Sequence, residues 1–243
     1  MNKADLKLDW CSYKAAKYAV EHWHYSRRMP IGKIVKIGAW ESSAFIGCIL
    51  FSTGASAQLH KAFRVLRNEV CELVRVALAE HCAPVTRIVA VALNKLRGVC
   101  PGLRLVVSFA DPERGHVGGI YQAGNWIYVG RSSPGLYYRL PDGSLTHNRN
   151  LQGPKVFGGS PAKGIQAQWT AALRADLASG KIKRVVTAPK YKYLMPLDPE
   201  MRKQIEPLAK PYPKKCAGSI ENDAATAQVA EGGVIPTPAL QEK

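Results

Sequence analysis

The sequence predicts an α/β fold of the mixed, α+β kind, one central sheet with helices packed against it. Three observations predict it. Leu103, Leu105, Val106, Val107 and Phe109 form an apolar run of strand length that stops at Ala110-Asp111-Pro112, as a strand covered on both faces does. Residues 84–97 (PVTRIVAVALNKLR) form an apolar segment of helical length, stopped by Gly98. Strand and helix patterns alternate in this way from residue 6 to residue 197.

Taken in order, residues 6–10 make a short first strand, and Ser12 caps a helix over 13–23 with Ala16, Val20 and Trp23 at helical spacing. Residues 33–40 and 44–51 flank Glu41-Ser42-Ser43 and read as a β-hairpin. A polar loop over 53–68 follows, then an apolar strand over 69–78. Strict alternation puts its Glu72 on one face and its Arg75 on the other, and charges there need partners or a wet cleft. After the helix over 84–97 and the strand over 103–109, Gly118-Gly119 opens a short helix, Ile120-Tyr121-Gln122-Ala123. Gly124 stops it, and residues 126–129 resume an extended pattern. Residues 132–153 read as a Gly-, Pro- and Asn-rich loop. Ser160 caps a helix running to about Leu177, residues 191–197 form a last strand, and Asp198-Pro199 caps a final short helix. The expected organisation is a single catalytic domain over 1–215 and a disordered tail over 216–243, where the composition shifts to Ala, Gly, Pro and acids.

Charge narrows the partners. The chain holds 34 Lys and Arg against 18 Asp and Glu, a net +16. Such an excess suits a polyanion, because each cation set on a phosphate releases a counterion. The basic residues crowd segment 181–215, interleaved with Tyr191, Tyr193 and Tyr212, which suits a nucleic-acid-facing surface. No apolar run reaches membrane-spanning length, and residues 1–10 carry charges where a signal peptide would be apolar. A soluble cytosolic protein is expected. Six cysteines include no CxxC pair, so reduced and mostly buried thiols are expected.

Four residues are candidates for chemistry. Asp111 lies at the carboxyl end of a central strand, where open sheets place ligands; it can accept a proton, orient a donor or simply form the turn before Pro112. Tyr121 can protonate a leaving group, stack on a base, or pack as a helix tyrosine. Arg75 suits a phosphate or a carboxylate-bearing donor, or a structural ion pair. Tyr25, with Ser26, falls where the first helix gives out and lines the cleft in one reading. In another, His24 and Tyr25 set near Asp111 form an oxygen and nitrogen site that could hold iron. Arg27, Arg28, Lys190 and Lys192 are the candidate nucleic-acid contacts.

The order β-α-β-β-β-α-β-α-β, followed by a helix and a terminal strand, resembles the GNAT acyltransferase fold across residues 1–197. Ile120-Tyr121-x-x-Gly124-Asn125-Trp126 is similar to that family's Tyr-x-x-x-Gly-Phe signature with one residue fewer, which implies a general-acid role for Tyr121. The family's Gly-rich pyrophosphate loop is replaced by Ala79-Glu80-His81-Cys82-Ala83-Pro84, without a glycine, so acetyl-CoA is not the expected cofactor and the donor is left open. A narrower resemblance rests on His22-Trp23-His24-Tyr25-Ser26, Glu72-Leu73-Val74-Arg75-Val76-Ala77-Leu78, Ser108-Phe109-Ala110-Asp111-Pro112 and Gly118-Gly119-Ile120-Tyr121-Gln122-Ala123-Gly124. Together these resemble the Mom proteins of Mu-like bacteriophages. That resemblance implies a GNAT-like transferase that converts adenine in duplex DNA to N6-(carbamoylmethyl)adenine and so protects phage DNA from host restriction. It also implies double-stranded DNA as partner, no membrane, action in the host cell cytoplasm, and a chain that can pair as a homodimer. The alternatives are a conventional N-acetyltransferase acting on a protein or small amine, and a non-enzymatic basic DNA-binding protein.

Overall fold

A computed structural model describes residues 5–30, 32–54, 58–143, 145–147 and 163–214. The tail over 216–243 and the start of the helix expected at Ser160 lie outside the described residues. Ten strands and five α-helices are described: β1 (Leu6–Trp10), α1 (Tyr13–Trp23), β2 (Ile34–Glu41), β3 (Ala44–Ser52), β4 (Val70–Leu78), α2 (Val85–Val99), β5 (Leu105–Ala110), α3 (Gly119–Ala123), β6 (Ile127–Arg131), β7 (Gly135–Arg139), β8 (Leu145–His147), α4 (Lys163–Ala178), β9 (Lys183–Thr187), β10 (Tyr191–Pro196) and α5 (Pro199–Ile205). The result is a mixed α+β fold.

The main sheet has seven strands in the order β1-β2-β3-β4-β5-β10-β6. Its neighbours are antiparallel except at one place, the parallel pair β4 and β5. The expected β5 emerges as a central strand whose alternate residues enter different clusters. Val106 and Ala110 pack with Ile88, Val89, Ala92 and Leu96 of α2, and Leu105 and Val107 pack with Met201 and Ile205 of α5. On β3, Ile49 and Phe51 join the α2 cluster while Cys48 and Leu50 pack under Ala16, Ala19 and Val20 of α1. One face of the sheet therefore carries α2 and α3, and the other carries α1 and α5. Ser12 caps α1 as expected, accepting the Ala15 N–H at 3.1 Å.

Three expectations need correcting. Residues 132–153 are not all loop, because β7 and β8 join β9 in a second, three-stranded sheet ordered β8-β7-β9. Gly135, Pro134 and the exposed Arg139 mask these short strands in the sequence, and Lys183-Arg184 gives β9 a polar look. Glu72 and Arg75 do not lie on opposite faces. Leu50 opposes Arg75 and Phe51 opposes Leu73, so Val74 is an extra residue in β4. A bulge of this kind shifts the alternation by one and turns Arg75 toward the side of Glu72. Finally, Tyr191 and Tyr193 do not form a stacking surface. Both are buried, and Tyr193 packs against Tyr121 and Tyr128 with ring centroids 5.1 and 5.3 Å away. Tyr212 is exposed, yet its hydroxyl donates to the Trp126 carbonyl at 2.7 Å.

Among the described residues no helix is long and apolar enough to cross a membrane. Five cysteines are described as free thiols; Cys48 is buried as expected, whereas Cys82 is exposed.

Gly118 fixes how α3 meets the sheet. It has φ +85°, and a Cβ there would collide with the ring of Tyr193, whose hydroxyl donates to the Val117 carbonyl. Gly118→Ala adds backbone strain to a clash with a fully buried ring, and should destabilise the fold by about 2–4 kcal/mol. Urea unfolding measures it, and a change below about 0.5 kcal/mol would contradict this packing.

Candidate active site

The site begins where the parallel ladder ends. Pairing of β4 with β5 runs from Val70 opposite Leu105 to Leu73 opposite Ser108 and stops there, although β4 continues to Leu78 and β5 to Ala110. Backbone groups released in this way need other partners. Ser108 Oγ lies 2.9 Å from the Leu73 carbonyl and 2.7 Å from the Tyr121 hydroxyl. A serine has one proton; donating it to the carbonyl, Ser108 accepts the proton of Tyr121. The next carbonyl, that of the bulged Val74, accepts a hydrogen bond from Arg75 Nη1 at 2.6 Å. Side chains thus take over the two carbonyls at the point of parting.

Around this point the α1 face of the sheet turns polar. Glu72 and Arg75 lie between the α1 cluster and the α5 cluster, and Asp111 follows β5 directly. Arg75 Nε and Nη2 donate to the Arg28 carbonyl at 3.4 and 3.3 Å, which ties the turn after α1 to β4. That turn carries His24, Tyr25 and, at φ +46°, Arg27. Tyr25 is 47 % exposed, with the rings of His24 and His116 at 4.3 and 5.4 Å and the Arg114 guanidinium at 5.8 Å.

Asp111 both builds its turn and faces the site. Its Oδ1 accepts the Glu113 N–H at 3.1 Å, and its Oδ2 pairs with Lys190 Nζ at 3.1 Å, with the Asp111 side chain only 14 % exposed. The Lys190 backbone is clamped to Ser132, the Ser132 N–H donating to the Lys190 carbonyl at 2.8 Å and the Lys190 N–H to Ser132 Oγ at 3.0 Å. Glu113 then accepts the Ala188 N–H at 2.7 Å and closes the same corner. Burial pulls the Lys190 ammonium down, but the charge and hydrogen bond of Asp111, with Tyr25 and Tyr137 nearby, hold it above the usual lysine range.

Tyr121 approaches from the other face. It is 8 % exposed, stacks on Trp126 and Tyr193, and reaches the strand gap only through its hydroxyl. Burial pushes that phenol up to about 12, with Tyr25, Glu72 and Tyr193 adding to the shift against the lowering bond from Ser108. Tyr121 is therefore a proton holder at neutral pH.

His24 is held neutral. Burial lowers it first, then the positive neighbours Arg75, His116 and Lys190, to about 3. Its Nδ1 accepts the Ser26 N–H at 3.1 Å and lies 2.8 Å from Ser26 Oγ. A nitrogen that accepts a backbone N–H keeps its lone pair, so the single ring proton sits on Nε2. This does not fit iron at His24 and Tyr25: Nδ1 is occupied, Nε2 is protonated, and the surrounding field is cationic. Among the described residues no group of three His, Cys, Asp or Glu side chains is placed to hold a metal ion.

The loop before α2 is occupied from within. To hold a pyrophosphate it would have to offer backbone N–H groups. Its Cys82 and Ala83 N–H groups already donate to the Glu41 carboxylate, at 2.8 and 2.6 Å. Burial works against that carboxylate, but the two backbone bonds and then His81 hold it below the usual glutamate range.

Of the candidates from sequence, the fold brings His24, Tyr25, Arg75, Asp111 and Lys190 to one corner, with the Tyr121 hydroxyl at its floor. Arg27 and Arg28 lie at the rim, exposed. Lys192 departs from the group: it sits opposite Phe109 on β10, and the side chains beside it belong to the α5 side. Glu72, Ser108, Arg114, His116 and Tyr137 were not singled out as site residues. Glu72 gave a signal as a charge in an apolar strand, whereas His116 and Tyr137 are ordinary loop residues in sequence.

The sequence profile of the Mom protein family matches residues 5–214. The chain belongs to the Mom protein family. It is 25 % identical over 219 residues to the methylcarbamoylase Mom of Escherichia phage Mu, an alignment spanning 86 % of this chain and 84 % of the phage protein.

The neutral state of His24 carries a pH signature. Its folded value of about 3 lies below the ordinary 6.5, so between these values the unfolded chain binds a proton that the folded chain does not. Stability from this residue is full above pH 6.5 and lost as pH falls toward 3. A His24→Asn variant should show a shallower loss of stability over that window in denaturant titrations, and an unchanged slope would contradict the buried neutral ring. A second expectation concerns Glu41. Glu41→Ala strands the buried Ala83 N–H and the half-buried Cys82 N–H and should cost about 1–3 kcal/mol by urea unfolding.

Proposed function

We propose that this protein is a DNA adenine hypermodification enzyme that forms N6-(carbamoylmethyl)adenine in duplex DNA. The observation that carries the reading is the match to the Mom family over residues 5–214, with a methylcarbamoylase as relative. The corner described above supports it by supplying what such a transfer needs. The mixed sheet with its one parted parallel pair supports a GNAT-like scaffold for that corner.

The reaction exchanges one N6–H bond of adenine for an N6–CH2 bond, while the donor's leaving group departs with the electron pair of the broken carbon bond. N6 must lose a proton, and Asp111 is the carboxylate at the corner that takes it, with Lys190 orienting it through their 3.1 Å ion pair. Tyr121 holds the proton at the floor, and on giving up its bond to Ser108 it is suited to hydrogen-bond the leaving group or the acyl oxygen of the transferred group. Tyr25 and Arg114 suit the capture of the base. A target inside a duplex has to be flipped out, and an exposed aromatic ring flanked by imidazoles and a guanidinium offers a stacking partner. The chain's +16 charge supports duplex DNA as partner, with the exposed Arg27, Arg28, Lys183 and Arg184 as phosphate contacts. Action on phage DNA in the host cell cytoplasm, with protection from restriction as its benefit, goes with this reading.

DNA from cells expressing the protein, digested to nucleosides and analysed by mass spectrometry, should contain N6-(carbamoylmethyl)deoxyadenosine. Unaltered deoxyadenosine beside abundant soluble protein would overturn the reading. Asp111→Asn should lower the modified fraction by about 10²-fold or more while the circular dichroism spectrum stays unchanged. Tyr121→Phe keeps the ring packing, and should reduce modification with little loss of stability.

A further inference from the structure

The second sheet, β8-β7-β9, grows out of the candidate active site and becomes more basic away from it. Its root is the corner itself. Ser132, which leads into β7, and Lys190, which follows β9, are clamped by two backbone-anchored hydrogen bonds, and Lys190 pairs with Asp111. The Ala188 N–H donates to Glu113 on the same side. From there β7 and β9 run together for five residue pairs, from Gly135 opposite Thr187 to Arg139 opposite Lys183. At about 3.4 Å per residue, the last pair lies about 14 Å beyond the first.

Residues opposite each other in an antiparallel pair share a face, and so do alternate residues along one strand. Tyr137, Arg139, Lys183 and Val185 therefore belong to one face. Tyr137 shows where that face looks, because it is near enough to bear on the charges of Arg75 and Lys190. The opposite face holds the buried Tyr138, with Arg184 across from it on the edge strand. Arg139, Lys183 and Arg184 are all exposed, and Arg139 Nη1 donates to the Gly143 carbonyl at 3.2 Å, which holds its guanidinium at the tip. The acids nearby are Asp176, 3.5 Å from Lys181, and Asp142 in the turn after β7. Among the described residues no carboxylate pairs with Lys183 or Arg184. Lysine on an exposed edge strand also guards against edge-to-edge pairing, but that role asks nothing of Arg139, which sits on the middle strand of the three.

Duplex DNA is the polyanion whose dimensions match this arm. Its major groove is about 12 Å wide and bordered by phosphates, and a β-ribbon can lie in it. We propose that the β8-β7-β9 sheet is a DNA-gripping arm, laid with its Tyr137 face along the duplex so that Arg139 and Lys183 meet phosphates about one groove width from the adenine at Asp111. The arm deepens the DNA-modifying reading and rests on duplex DNA being the partner. Phosphate contacts position a protein without reading bases, so the grip is indifferent to sequence. Because the root of the arm is bonded to Lys190, and Lys190 to Asp111, the grip also sets the duplex in register with the carboxylate.

The test uses the full chain and follows binding of a fluorescently labelled duplex of mixed sequence by anisotropy over a series of salt concentrations. Arg139→Gln combined with Lys183→Gln should weaken binding by about tenfold or more and flatten the slope of log affinity against log salt by about 2. Arg87→Gln combined with Arg97→Gln removes the same charge from exposed positions of α2, on the other side of the main sheet, and should leave that slope within about 0.5 of the wild type. A second measurement needs no variant: in reductive methylation of the wild type, read by peptide mass spectrometry, saturating duplex should protect Lys183. Equal effects of the two double variants, including none, overturn the proposal, and so does a Lys183 that stays reactive under the duplex. A dependence on Arg139 and Lys183 seen with single-stranded RNA and not with the duplex overturns it as well. Both measurements read binding alone. Duplex held through the arm without modified nucleoside would sink the assigned reaction and not the arm, whereas modified nucleoside without arm-dependent binding would sink the arm and not the reaction.

Discussion

The parting of β4 from β5 after Leu73 and Ser108 is the constraint on which the rest of the site depends. A parallel ladder that ends inside a sheet exposes carbonyls that water cannot easily reach. Ser108 answers one of them and Arg75 answers the next, and each answer also sets up a functional group. Ser108 holds the Tyr121 hydroxyl, and Arg75 holds the turn that carries His24 and Tyr25. The wedge between the strands is thus kept open by the same side chains that give it chemical character.

The two faces of the sheet contribute differently. The α2 face is a continuous apolar cluster, and it delivers a phenol whose proton is secured by burial. The α1 face is split into two clusters, and the polar corner occupies the break between them. Cations dominate that corner, which keeps a histidine neutral that would ordinarily titrate near neutrality. A neutral histidine, a paired carboxylate and a guanidinium bound to backbone carbonyls form a set suited to an electron-rich reactant.

Much of this was legible in the sequence because the signals were strong and local. The apolar run into Asp111, the Ser12 and Asp198 caps and the Gly118-Gly119 opening each correspond to an observed element. The second sheet was not legible, since β7, β8 and β9 are short, β7 opens on a glycine and β9 on Lys183-Arg184. The shared face of Glu72 and Arg75 was hidden for a different reason. A bulge is a property of pairing, and strict alternation within one strand cannot reveal that its partner skips a residue. Tyr191 and Tyr193 misled because interleaved aromatic and basic residues look alike whether the rings face solvent or core. The strand period, with Lys192 between them, was the signal that separates the two cases.

The Glu41 carboxylate has a consequence for how phosphate-bearing cofactors meet this fold. It is joined to the Cys82 and Ala83 amides through the same sheet, so it competes as an intramolecular occupant. Tethered groups act at effective concentrations of millimolar and above, against which a free nucleotide must bring its own affinity. Restoring glycines to the loop before α2 would leave that occupant in place. The missing loop motif and the resident carboxylate are therefore two separate locks, and a pyrophosphate at that loop would need both undone.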